Sequence, residues 1–136
     1  MSKIYIQGTF GAYSHLAALE IEPNAEVVPC KTFDECFLKT LSENGSRMVI
    51  PESNRITGNI GIEYLIFKYR LNIYAEHFQK IQHNLLGQPG TSISDIKDVF
   101  SHTQGLSQCS NFIKKNNFVE HVRADTAGSA ETISKK

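Results

Sequence analysis

Four short segments gather small polar residues where a strand should give way to a helix. They are GTFGAYSH (8–15), PESNRITG (51–58), SHTQGLSQ (101–108) and DTAGS (125–129). Each offers hydroxyls, carboxamides or backbone N–H groups and almost no net charge. Donors of this kind at the start of a helix favour an anion without Lys or Arg. Four such junctions facing one cleft would suit a small polyanion such as a dicarboxylate. Taken singly, each is the ordinary capping chemistry of Ser, Thr, Asp and Asn. Gly8 and Gly11 fit a common turn, and no G-x-G-x-x-G or Walker pattern is present. His15 and His102 each follow a serine, a placement that also suits a satisfied, half-buried histidine. His77, His83 and His121 are scattered without metal-ligand spacing, so no metal site is expected.

The elements that must position these segments follow from hydrophobic period. Ile4 and Ile6 alternate with Lys3, Tyr5 and Gln7, which predicts a strand over 3–7. A helix is expected over 14–21, a strand over 26–30, and a helix over 32–44 opened by a Thr32–Glu35 capping box and stopped at Gly45. Phe33, Cys36, Phe37 and Leu41 share the expected buried face of that helix. A strand over 47–51 and a helix over 59–69 complete a first run. The stretch 72–87 alternates like one long strand or two, and 87–92 is a loop. A strand at 98–101, a helix at 105–117 with Leu106, Cys109, Phe112 and Ile113 inward, a strand at 119–124 and a helix capped by Asp125 or Thr126 form a second run. Strands alternating with helices indicate an α/β protein with parallel strands. In such sheets ligands bind beyond the carboxyl ends of the strands, where all four polar segments fall.

The chain has 136 residues, with 14 Lys plus Arg against 14 Asp plus Glu. With no net basic field, neither nucleic acid nor a membrane surface is an expected partner. Cys30, Cys36 and Cys109 are odd in number and form no C-x-x-C pair, which fits reduced thiols in a cytoplasmic protein. No signal peptide, transmembrane stretch, repeat or low-complexity tract is evident.

The segments YIQGTFGAYSHLAA, HNLLGQPG, SHTQGLSQCSNFI and ADTAGSA resemble, in order and spacing, the prephenate dehydratase family. The resemblance covers essentially the whole chain. It implies a fold like the type 2 periplasmic binding proteins, two α/β lobes around a cleft, with 1–75 as the first lobe and 76–136 as part of the second. It also implies decarboxylating dehydration of prephenate to phenylpyruvate on the way to phenylalanine, without a cofactor. Such an enzyme need only orient the two carboxylates of its substrate and offer a proton to the leaving hydroxyl.

The resemblance and the strand-end placement together give Ser14, Asn54, Ser101, Gln108 and Thr126 as the expected substrate contacts. Thr103 stands where the family motif has Pro. In the segment that aligns onto Pro51–Gly58, Ser53 replaces the family Glu and Arg55 the family Ser. Glu52 lies one residue early, on the opposite face of an extended chain. The family's Thr-Arg-Phe motif, whose Thr is implicated as proton donor, falls beyond the last residue given, so no catalytic residue is assigned within the sequence. The phenylalanine-binding ACT domain is not in it either. The expectation is therefore an impaired, prephenate dehydratase-like chain that homo-oligomerises or pairs with a separately encoded C-terminal half. Alternatives are an arogenate dehydratase, a non-catalytic dicarboxylate-binding module, or an inactive split-gene fragment.

Overall fold

The computed structural model describes residues 1–136, which form two compact units, Met1–Ile81 and Gln82–Lys136. Both are α/β, each built on parallel strands.

In the first unit, β1 (Lys3–Gln7) lies between β2 (Glu26–Cys30) and β3 (Arg47–Val49), all parallel. Ile4 pairs with Val27 and Ile6 with Val49. The chain steps from β1 to β2 on one side, then back across to β3. Right-handed crossovers therefore place α1 (Tyr13–Ile21) and α2 (Phe33–Ser42) on opposite faces. Ile4 and Ile6 accordingly pack on Ala18 of α1, while Tyr5 packs with Cys30 and Cys36 on the α2 side. The expected alternation of β1 is present, but its second face is not open to water. Tyr5 is only 6% exposed, because a central strand covered by helices on both sides buries both rows of side chains.

The cap of α2 is as expected at its first bond: Thr32 Oγ1 accepts from Glu35 N–H at 3.1 Å. Glu35 returns not to Thr32 but one residue earlier, accepting from Lys31 N–H at 2.7 Å. Phe37 is fully buried, whereas Leu41 is 49% exposed and does not belong to the buried face. Leu41 keeps the helical period, about 40° round from Phe37, but one turn further along it stays half-exposed, as Leu38 does. α3 (Glu63–Tyr69) packs on α2 through stacked Phe37 and Tyr69 rings, and Tyr69 donates to Asp34 at 2.7 Å. Two residue pairs form an antiparallel hairpin before it, β4 (Ser53–Asn54) and β5 (Gly58–Asn59), so α3 starts later than the expected residue 59. Likewise β3 stops at Val49, two residues before Pro51.

The expected strand or strands over 72–87 are absent; that stretch carries neither helix nor strand. Alternating side chains suit an extended backbone, but a strand also needs a neighbour for its ladder, and no strand pairs with this stretch. Side chains hold its first part to the first unit, through Arg47 to Tyr74 Oη at 3.2 Å and His77 to Glu20 at 2.8 Å.

In the second unit, β6 (Asp98–Ser101) runs parallel to β7 (Val119–Val122), with Ser101 opposite Val122. The single helix expected over 105–117 is two, α4 (Thr103–Gln108) and α5 (Ser110–Lys115), broken at Cys109. Val99, Leu106, Ile113 and Phe118 make the core. The break turns Phe112 outward, 43% exposed, and Ile113 takes the buried position. α6 (Thr126–Ser134) begins at an Asp125 cap, whose Oδ1 accepts from Gly128 N–H. No helix is long and apolar enough to cross a membrane.

Candidate functional site

The carboxyl ends of β6 and β7 are the best-defined part of the site. Ser101 ends β6 and Thr126 opens α6 just beyond β7. Parallel pairing brings these two chain ends side by side, and Ser101 Oγ lies 3.1 Å from Thr126 Oγ1. α4 passes directly over the pair at Gly105. A Cβ there would stand 2.7 Å from Ser101 Oγ and 3.4 Å from Thr126 Oγ1. Gly105 is itself buried, and its missing side chain is what admits the two hydroxyls.

Gln108 is the last residue of α4 and half-buried. Its Oε1 is 2.5 Å from His83 Nε2. Sequence reasoning missed His83, treating it as one of several scattered histidines. The signal lay in HNLLGQPG, a segment used for the resemblance but given no role of its own.

His102 is the N-cap of α4 and accepts Gln104 N–H at Nδ1, 3.2 Å. His15 does the same in the first unit, accepting Gly11 N–H at Nδ1, 3.0 Å. A neutral imidazole that accepts at Nδ1 carries its proton at Nε2, so each ring keeps one donor beyond its structural bond.

In the first unit Ser14 sits half-buried in the first turn of α1, and Asn54 follows β3. Since β1 and β3 are parallel neighbours, both residues belong to the carboxyl edge of one sheet. Asn54 has a structural task there. Its Oδ1 accepts from Ile56 N–H at 2.9 Å and Thr57 N–H at 3.4 Å, closing the β4–β5 hairpin. A second missed residue is Thr9, whose Oγ1 is buried in the GTFGAYSH loop without a hydrogen-bond partner. Buried hydroxyls almost always have one, and Thr9 shares the exception with Gln79 Oε1.

The structure thus joins Ser101 to Thr126 and Gln108 to His83 within the second unit, and sets Ser14 and Asn54 on one sheet edge in the first. All five expected contacts are uncharged. The thiols are poor nucleophiles: burial pushes Cys109, Cys30 and, most strongly, Cys36 above the usual thiol range, where they stay protonated. No group of three or more His, Cys, Asp or Glu side chains is placed to hold a metal ion. What the arrangement offers is neutral hydrogen-bonding groups, hydroxyls and carboxamides, at the ends of the strands.

The prephenate dehydratase family model matches residues 4–136. Arogenate dehydratase 2 of Petunia hybrida is 40% identical over 133 residues, covering 97% of this chain and 34% of the relative. A solved structure described as a novel type of quorum quenching acylase superposes with a TM-score of 0.81 at 31% identity, covering 96% of this chain and 48% of that one. The prephenate dehydratase of Staphylococcus aureus subsp. aureus Mu50 gives a TM-score of 0.70 at 26% identity, with coverages of 97% and 51%. The chain spans about a third of the length of the curated relatives it matches, 34% of the petunia protein.

Proposed function

Because the chain belongs to the prephenate dehydratase family, we propose that it carries the dicarboxylate-binding apparatus of a prephenate or arogenate dehydratase, acting toward phenylalanine. In this reading the fold is of the type 2 periplasmic-binding-protein kind, and Ser14, Asn54, Ser101, Gln108 and Thr126 are substrate contacts, each at the carboxyl edge of the strands in its own unit. The observation that carries it is the Ser101–Thr126 pair, 3.1 Å apart at the ends of adjacent parallel strands under Gly105. Two hydroxyls so held cannot both spend their donors on each other. Only one of the two O–H groups can bond the neighbour, which leaves the other to donate elsewhere.

The chemistry needs little more from these residues than orientation. Neutral donors fix the two carboxylates, so that carbon dioxide leaves on one side of the ring as the protonated hydroxyl leaves on the other. Holding a dianion by hydrogen bonds rather than by Arg also avoids neutralising the carboxylate whose electrons must move into the ring. Three free cysteines without a C-x-x-C pair favour a reducing, cytoplasmic setting as part of the same proposal.

The test is calorimetric binding of prephenate and of arogenate to the 136-residue chain, with phenylpyruvate and phenylalanine followed in parallel. Binding in the micromolar to millimolar range that Ser101→Ala weakens supports the reading. Binding without product would mark a binding module, and no binding of either acid would overturn the proposal.

A further inference from the structure

The contact between His83 and Gln108 has a polarity that the rest of the site does not explain. Gln108 Oε1 is 2.5 Å from His83 Nε2. A carboxamide oxygen only accepts, so the imidazole must carry its proton at Nε2 and donate it. The consequence falls on the other half of the amide. A glutamine head is a nearly two-fold rotor, with carbonyl and NH2 ends of similar shape and opposite character. Once Oε1 is held by His83, the NH2 end is turned away from the imidazole and presents two donors.

That choice matters for an anion. A carboxylate only accepts, so it is attracted by the NH2 end and repelled by the carbonyl end. The backbone of α4 places Gln108 but does not decide which end of its amide points outward; the histidine does. His83 comes from a separate segment without helix or strand, 25 residues earlier. It has no place among the expected substrate contacts, and its ring nitrogen is committed to the glutamine.

We propose that His83 is a positioning residue for Gln108, fixing its carboxamide so that the NH2 group is presented to a ligand carboxylate. The inference rests on the reading of Gln108 as a substrate contact. His83 touches the ligand only through the glutamine, so its effect on binding should vanish when Gln108 is absent.

The experiment is a double-mutant cycle on prephenate affinity, measured by calorimetry on the whole chain with thermal melts as a check on folding. His83→Leu removes the donor and is expected to weaken binding about tenfold, the loss of one oriented hydrogen bond. His83→Gln can place an amide N–H near the original Nε2 and is expected to recover binding to within about threefold of wild type. In the Gln108→Ala background, His83→Leu should have no further effect. A long-range ¹H–¹⁵N spectrum supplies a readout independent of ligand: His83 should show the Nε2–H tautomer, and Gln108→Ala should shift its Nε2 signal. A wild-type chain that binds prephenate, with His83→Leu binding as tightly or still harmful in the Gln108→Ala background, overturns the positioning role alone. An Nδ1–H tautomer at His83 overturns it as well. A wild-type chain that does not bind prephenate removes the underlying reading.

Discussion

Ser101 Oγ and Thr126 Oγ1 meet at 3.1 Å only because residue 105 has no side chain. Alanine in the middle of a helix is ordinarily better than glycine by about 1 kcal/mol. Here that gain is outweighed, since the new Cβ would press to 2.7 Å on the Ser101 hydroxyl. Gly105→Ala is expected to destabilise the protein by about 1–3 kcal/mol, the range for overpacking a tight site. Adding Ser101→Ala removes the clashing oxygen and should recover most of the loss. Urea denaturation of the two single variants and the double variant measures the coupling. Additive effects would mean the two positions do not touch.

Thr9 offers a separation of stability from binding. Its Oγ1 is buried and unpartnered, and such a group is a net burden on the fold. Thr9→Val keeps the shape and removes the oxygen. Stability should rise by about 1 kcal/mol, while affinity for prephenate falls. Melting temperature and calorimetric affinity, moving in opposite directions, are the signature to look for. A lower melting temperature would show that the hydroxyl serves the fold.

The pH dependence of the first unit should carry a contribution from Glu43. This residue follows α2 and accepts from Lys3 Nζ at 2.8 Å and from the hydroxyl of buried Tyr5. Those two bonds hold its carboxyl below the ordinary value of 4.5. A lowered folded-state pKa means the stabilisation is present above the ordinary value and drains away as pH falls through the folded one. Wild type should therefore be more stable than Glu43→Gln at neutral pH, and the gap should close on acidification below about 4.5. Melting curves of both proteins from neutral pH downward test this; a constant gap would contradict it.

Thr103 is the first residue of α4, where a backbone N–H has no partner inside the helix. His102 before it sits at φ −65° and ψ 150°, a conformation that a following proline permits. Thr103→Pro should thus stabilise the chain by about 0.4–1 kcal/mol, through a stiffer unfolded state. Chemical denaturation is the measurement, and a loss would reveal that the Thr103 N–H or hydroxyl is in use.

What could be read from the sequence was what neighbours in the chain decide. Lys3–Gln7 and Glu26–Cys30 have the expected bounds, and Thr32 and Asp125 cap their helices, since each signal spans a handful of residues. The family resemblance likewise rested on contiguous words. What was misread depends on distant partners. Leu41 follows the helical period but lies on the side where nothing covers it. The alternation of 72–87 found no strand to pair with. Tyr5 is inside because α2 crosses back over β1. Ser101 and Thr126 were named separately, but their bond required the parallel register of β6 and β7. His83 was passed over because its partner is 25 residues away.

The placement of β1 between β2 and β3 also has a bearing on how the chain is made. The sheet of the first unit is complete once Val49 has been added, and its central strand is the first element synthesised. Val119, which begins the strand that β6 requires, comes seventy residues later. At a translation rate of about 5–20 residues per second, the N-terminal sheet has several seconds in which to form before β6 can find its mate. A growing chain can therefore shelter Ile4, Tyr5 and Ile6 while the second nucleus is still being translated, and the ribosome itself sets the order in which the two halves fold.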